Sequence, residues 1–375
     1  MKEIRANGKI KVVSLFSGCG GFDLGFIQTN HYEVIWANDI LKDACETYRN
    51  NIGNHIVCAD INEVDKTTIP KADVLVGGPP CQSFSLVGKR DPNDKRSGLV
   101  WSYLEVLEQV EPKFFILENV TGLLSAKNPD GSKVLDDLVK AFEKLGYSTN
   151  VFKLNAADYG VPQRRKRVFI IGNNLGLTIK EPTTTHSQND ENTQKWVSAK
   201  EAIGDLSNTS KSGKGKYIHI PQNDYQKLMR VEQNGTFNLH FTPYASEKDK
   251  ELMQHIPPGG NYTDVPDEVA TTRILNFKKT GGRTTTYGRL KPDMPGYTLN
   301  THFNRLNVGC NIHYKYKRLI SLREGLRIQS FPDDFIIHSS NKRNYYVQIG
   351  NAVPPILGKV LAEAIYELLN GKKGK

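Results

Sequence analysis

Three side chains of different chemistry follow apolar runs. Cys81 comes after Val74-Leu75-Val76 and the stiff tract Gly77-Gly78-Pro79-Pro80. Paired prolines fix φ and predict an ordered, exposed turn, whereas a lone cysteine elsewhere is most often a small core hydrophobe. On such a turn, a thiol whose pKa is lowered by a cation or a helix N-terminus becomes a nucleophile. Glu118 ends the run Phe114-Phe115-Ile116-Leu117. A carboxylate there is either paired, in a salt bridge or a helix cap, or is a general acid with a raised pKa. Finally, Arg164-Arg165-Lys166-Arg167 leads into the apolar run that begins at Val168. Alternation puts Arg165 and Arg167 on one face, where guanidinium groups can orient a polar base, a phosphate or Glu118.

A second set of residues suits a nucleotide-like ligand. Gly18-x-Gly20-Gly21 follows the apolar run 10–16 and precedes a helical pattern from about Phe22. That is either a plain tight turn or a loop that lets backbone approach a ligand. Asp39 stands about twenty residues further on, at the end of the next apolar run, where a carboxylate accepts bonds from ribose hydroxyls. Asp60, after the third run, can reach an adenine amino group. The phosphate-binding pattern GxxxxGK[ST] is absent from the sequence, which argues against a triphosphate ligand.

The elements that must position these residues alternate in type. Strand-like runs at 10–16, 32–36, 55–58, 74–76, 114–117 and 168–171 are separated by helical stretches such as 41–50, 100–110 and 132–145. Strands apolar at nearly every position are buried on both faces, as in parallel sheets. The alternation therefore predicts a doubly wound α/β sheet, with Cys81, Glu118 and Asp39 all at its carboxyl edge, where such folds bind ligands. After Gly172 the texture becomes loop-rich and loses its βα rhythm. A helix with Pro354 and Pro355 in its first turn and Gly371 at its end restores the first texture, so the irregular part reads as an insertion.

Net charge is +10. Between Thr271 and Ser330, twelve Lys/Arg face only two acids, Asp293 and Glu324, so this segment carries the whole excess. It is either a solvated charged face or the footprint of a polyanion. The five cysteines form no CxxC pair and no zinc-ligand spacing, which predicts free thiols and no metal. The polar start, Met1 to Lys11, predicts no secretory signal. No apolar run approaches the ~20 residues of a membrane span.

In order along the chain, these tracts resemble the cytosine-C5 DNA methyltransferase family. Phe16-Ser17-Gly18-Cys19-Gly20-Gly21 resembles its cofactor loop, and Pro79-Pro80-Cys81-Gln82 its nucleophile loop. Glu118-Asn119-Val120 resembles the acid motif, and Gln163-Arg164-Arg165-Lys166-Arg167 the QxRxR motif. Residues 318–335 resemble the segment that braces the recognition domain, and 348–355 the last cofactor motif. The resemblance covers almost the whole chain.

It implies a Rossmann-like S-adenosylmethionine-dependent methyltransferase domain, residues 1–180 plus 345–375, with a smaller inserted target-recognition domain at 181–344. It assigns Phe16, Gly18, Cys19, Gly20, Asp39, Ile40, Asp60, Ile61, Pro80, Leu99 and Asn351 to the cofactor, although the family more often has glutamate where Asp39 stands. It assigns catalysis to Cys81, Glu118, Arg165 and Arg167. It assigns double-stranded DNA to Gln82, Ser85, Arg283, Arg289, Thr298 and Arg305. The implied reaction adds the Cys81 thiolate to C6 of a flipped-out cytosine, so that C5 can take a methyl group. A monomeric, cytoplasmic bacterial enzyme paired with a restriction endonuclease is the implied setting.

Overall fold

The computed structural model describes residues 8–80, 99–230 and 235–371. Cys81, Gln82 and Ser85 lie outside them. The chain forms two compact units. The first holds residues up to Asn155, Lys166–Thr183, and those from Leu357 onward. The second holds Ala156–Arg165 and Thr184–Ile356. It thus takes in more of the chain than residues 181–344, including Gln163, Arg164 and Arg165.

The first unit is built on strands β1 (Ile10–Leu15), β2 (Tyr32–Asp39), β3 (Ile56–Cys58), β4 (Val74–Gly77), β5 (Phe114–Val120) and β6 (Ser148–Asn155). A two-residue strand, β7 (Gln163–Arg164), belongs to the second unit, and β8 (Lys166–Asn173) returns to the first. The seven-stranded sheet has the order β3-β2-β1-β4-β5-β8-β6. Its first five members run parallel, while β8 is antiparallel to both of its neighbours. The order reverses between β1 and β4, and that reversal is the point at which doubly wound sheets open a ligand crevice.

The register levels the carboxyl ends. Leu15 pairs with Asn38 on one side and Gly77 on the other, and Gly77 pairs with Leu117. The residues that follow these positions, Phe16, Asp39, Gly78 and Glu118, therefore lie at one edge of the sheet. Helices α1 (Gly21–Ile27), α2 (Lys42–Asn51), α3 (Leu99–Val110) and α4 (Val134–Lys144) connect the strands. All four residues of β4 are buried, as the uninterrupted apolar pattern requires. On one face Leu75, Phe115, Leu117 and Ile170 pack with Tyr103, Leu107 and Phe142 of α3 and α4. The C-terminal helix, Pro355–Leu369, comes so close to α1 that a Cβ on Gly358 would meet the Phe22 carbonyl at 2.9 Å. The Tyr32 hydroxyl donates to its Ala362 carbonyl at 2.7 Å.

The second unit consists of short pieces whose first turns are satisfied locally. Ser198, Asn223, Ser246, Asn261, Thr271, Ser321 and Asn341 each accept a backbone N–H at the start of a helical segment through the side chain. Such caps satisfy donors that the helix itself leaves open. By contrast, α1, α2 and α4 begin at Gly20, Leu41 and Lys133 without a side-chain cap. One apolar core of the second unit gathers Leu252, Met253, Tyr262, Ile274, Tyr287 and Ile312.

Buried charge is also part of this unit. The Arg327 Nε donates to Asp333 at 2.6 Å, and Asp205 lies 3.3 Å from its Nη1. Glu324 receives both terminal nitrogens of Arg318, at 2.7 and 2.8 Å, and lies 3.5 Å from His313. Arg289, Arg323 and Arg327 are all buried. A quarter of the twelve cations in the basic segment therefore points inward.

Candidate active site

Glu118 directly follows the four buried apolar residues of β5, opposite Phe169 in the antiparallel ladder with β8. Val120 pairs with Arg167. This offset lets the Arg167 side chain reach back along the ladder, and its Nε lies 2.9 Å from the Glu118 Oε1. Both side chains are largely covered, at 15% and 12% exposure. Charge-assisted bonds in such surroundings are short and directional. The other carboxylate oxygen faces Gly78, where a built Cβ would meet Oε2 at 2.9 Å. Gly78 is therefore glycine because the acid occupies the space of its side chain. Next to it, the buried Asn119 donates from Nδ2 to the Pro79 carbonyl at 3.0 Å. The acid strand thus grips the Gly-Gly-Pro-Pro tract at two successive residues, Gly78 and Pro79, the second of them two positions before Cys81.

The glycine turn lies at the same edge. Phe16 and Gly18 have φ of 54° and 55°, and Gly20 has 89°. A left-handed phenylalanine is a strained residue, and such residues cluster at ligand sites. The Asp39 Oδ2 accepts the Gly18 N–H and its Oδ1 accepts the Leu41 N–H, both at 2.8 Å. Burial raises the Asp39 pKa, while these amides pull it back. A carboxylate has further lone pairs beyond one bond to each oxygen.

Three observations fit an adenosine-bearing cofactor here. A Cβ on Gly18 would meet nothing within 4 Å, so there is open space over the turn. Ile40, next to Asp39, is 67% exposed, an apolar surface facing no protein. Pro80 is exposed and Leu99 half-buried.

The remaining expected contacts fall into different places. Asp60 accepts the Asn62 N–H at 3.0 Å and is half-buried. Ile61 packs into the main core and offers a ligand only its backbone. Cys19 is buried, and its thiol is pushed up to about 12 by burial, so it is no thiolate. Asn351 is exposed and belongs to the second unit.

The family model for C-5 cytosine-specific DNA methylases matches residues 10–367. The chain belongs to this family. Its cofactor is S-adenosylmethionine. It is 36% identical over 372 residues to the type II methyltransferase M.NgoFVII of Neisseria gonorrhoeae, covering 97% of this chain and 88% of that one. It is 34% identical over 376 residues to M.DdeI of Desulfomicrobium norvegicum, covering 95% and 88%. A prophage-encoded E. coli protein described as a DNA modification methyltransferase has the same fold, with TM-score 0.71, 23% identity, and 96% and 100% of the two chains covered. S. pombe Dnmt2 methyltransferase gives 0.59 at 19% identity, covering 98% and 100%.

The two arginines expected together in catalysis have different surroundings in this enzyme. Arg167 holds Glu118. Arg165 belongs to the second unit and is 1% exposed, and its guanidinium donates to the carbonyls of Leu299 at 3.2 Å and Gly350 at 3.0 Å. Nearby, β7 pairs with Gly296–Tyr297. The Gln163 amide donates to Gln329 and accepts the Leu299 N–H. Thr298, expected at DNA, donates its hydroxyl to the Arg164 carbonyl at 2.9 Å. Arg289, also expected at DNA, has an interior role instead. Its donors go to the carbonyls of Ile256, His313, Tyr316 and Met253. Burial lowers its pKa. Arg283 and Arg305 are exposed.

Sequence reasoning placed Gly78 and Asn119 within motifs and gave neither a role of its own. Their signal was adjacency alone, since each touches a residue that carries chemistry.

Proposed function

We propose that this enzyme methylates cytosine C5 within a specific duplex DNA sequence, and that Cys81, Glu118 and Arg167 carry the reaction. The observation that supports this most directly is the Arg167–Glu118 pair at 2.9 Å, seated against Gly78 in the tract leading to Cys81. A cytosine ring is a poor carbon nucleophile, so the Cys81 thiolate adds at C6 and turns C5 into an enamine carbon. Glu118 donates to N3, drawing electron density out of the ring as the C6–S bond forms. Arg167 keeps that carboxyl oriented and stabilises charge at the ring carbonyl. After C5 carries its new methyl group, loss of the C5 proton expels Cys81. Arg165 acts as a positioning residue through the carbonyls it holds.

Phe16, Gly18, Asp39, Ile40, Asp60, Pro80 and Leu99 hold S-adenosylmethionine, which supplies an electrophilic methyl group. The target base leaves the duplex to reach Cys81. The second unit reads the sequence, with Arg283 and Arg305 among its phosphate contacts. The type II relatives support a bacterial cytoplasmic modification enzyme that shields DNA from a partner endonuclease. It acts as a monomer. Among the described residues no helix is long and apolar enough to cross a membrane.

The test is expression on a plasmid with base-resolution mapping of 5-methylcytosine. One motif should be modified, and Cys81→Ser should erase the mark. Duplex DNA with 5-fluorocytosine at that motif should trap a covalent complex, because fluorine cannot leave as the proton does. Methylation persisting in Cys81→Ser, or methyl transfer to tRNA and not to duplex DNA, would overturn the proposal.

A further inference from the structure

Behind the glycine turn, the first unit contains a buried run of hydrogen bonds centred on Asp23, a residue of α1 that is fully buried. The Ser14 hydroxyl donates to Asp23 Oδ1 at 2.7 Å, and the Tyr48 hydroxyl donates to Oδ2 at 2.7 Å. Each hydroxyl has one proton, so each must accept from its other neighbour. For Ser14 that neighbour is the Ser17 hydroxyl, at 2.9 Å, whose proton is shared with the Ser14 carbonyl at 3.1 Å. For Tyr48 it is Nε2 of His55, at 3.0 Å. Asp23 is thus the common acceptor of two chains, one of which ends inside the turn Phe16–Gly20.

The same tyrosine also supports the turn from below. A Cβ on Gly20 would meet the Tyr48 ring at 3.0 Å and Ile52 at 2.1 Å. Ser17 is further tied to the turn by its carbonyl, which accepts the Gly20 N–H at 2.9 Å. A fully buried carboxylate is costly, and this one is not needed to pair a cation. Its two bonds tie α1, which follows the turn, to Ser14 of β1, which precedes it, and to Tyr48 of α2, which packs against Gly20.

We propose that Asp23 is a positioning residue for the cofactor turn, acting through Ser14 and Ser17 in front and Tyr48 beneath. This rests on the assignment of Phe16–Gly20 to S-adenosylmethionine. Asp23 does not touch the ligand. It fixes the left-handed backbone that does, so its loss weakens cofactor binding and leaves the chemical step intact.

The experiment compares Asp23→Ala, Asp23→Asn, Ser17→Ala and Gly18→Val in the full-length enzyme. Calorimetric titration gives the dissociation constants of S-adenosylmethionine and S-adenosylhomocysteine, and steady-state kinetics gives kcat and both KM values. Asp23→Ala should raise both dissociation constants and the cofactor KM at least tenfold, with kcat at saturation and the DNA KM within threefold of wild type. Asp23→Asn should recover most of the affinity, because its amide oxygen still accepts from Ser14 and its NH2 can donate to Tyr48 once that hydroxyl turns to His55. Ser17→Ala, which deletes only the hydroxyl at the end of the chain, should raise the constants a few-fold without affecting folding. If Gly18→Val weakens binding but Asp23→Ala and Ser17→Ala do not, this inference fails and the turn assignment stands. If Gly18→Val also leaves binding unchanged, the assignment itself fails. A fall in kcat that matches or exceeds the change in cofactor affinity would also overturn the proposal.

Discussion

Replacing Gly78 by alanine separates the position of the acid from the stability of the fold. The added Cβ would lie 2.9 Å from the Glu118 Oε2, 0.5 Å inside the ordinary contact distance of 3.4 Å, while the next atoms of Glu118 are at 3.7 and 3.9 Å. Only the far end of one side chain needs to move, so stability should change by less than ~1 kcal/mol. Glu118 cannot retreat 0.5 Å without straining its 2.9 Å bond to Arg167. Catalytic groups work within a tolerance of about 0.5 Å, and a 1 Å error costs about a hundredfold. We expect a 10- to 100-fold loss in the single-turnover rate, roughly 1.4–2.7 kcal/mol of barrier. Gly77→Ala is the contrast. There a Cβ meets the Leu15 carbonyl at 2.9 Å and the Tyr103 ring at 3.0 Å. A carbonyl inside a sheet cannot yield, so overpacking should cost about 1–3 kcal/mol of stability. Single-turnover methyl transfer to a cognate duplex and thermal unfolding read the two effects. A Gly78→Ala enzyme with the wild-type rate would refute the placement of Glu118 in the chemistry.

Arg167→Met should lower the single-turnover rate about 10²–10³-fold, because it removes the guanidinium that orients the 12%-exposed Glu118; near-wild-type turnover would remove Arg167 from the mechanism. Arg289→Met should destabilise the protein by several kcal/mol in a denaturant titration, since four carbonyls, three of them in buried bonds, lose their donor. Arg283→Ala should leave stability within ~0.5 kcal/mol and reduce the salt dependence of DNA binding by about one charge. His313 gives a pH signature: burial lowers its pKa to about 4. The unfolded chain therefore takes up a proton near pH 6.5 that the folded chain refuses, and stability falls with pH, by about 2 kcal/mol between pH 8 and pH 5. Glu324, held down to about 2 by Arg318 and His313 against the effect of burial, adds to the loss only below its unfolded value near 4.3. His313→Gln should flatten the upper part of that dependence in denaturant titrations at each pH.

The sheet was legible where burial wrote uninterrupted apolar runs, as in β1, β4 and β5. Edge strand β6 was not, because Ser148-Thr149-Asn150 and Lys153 are half-buried or exposed and mask the period. The direction of β8 could not be read either, since an apolar run has no polarity. Asp39 and Glu118 were visible as carboxylates ending such runs, a placement few structural roles require. Arg165 and Arg167 looked alike because both fall on one face of an alternating tract, yet the boundary between the compact units passes between them. The charge of the basic segment overstates the number of accessible cations for a related reason. A sequence counts Arg289, Arg323 and Arg327 as cations, but only the fold shows that backbone carbonyls and aspartates enclose them.

The capped segments of the second unit have a consequence for how this enzyme can diversify. A helix whose first donors are satisfied by its own Ser, Thr or Asn makes few demands on whatever precedes it. Lengthening a surface connection costs only about 0.6 kcal/mol per doubling. Loops between such segments can therefore be exchanged or extended while each segment keeps its own start. In the first unit the uncapped starts of α1 and α2 lie directly after the glycine turn and Asp39, so the same freedom there would disturb the carboxyl edge of the sheet. Changes in chain length should accumulate between caps, as insertions and deletions, rather than within the sheet.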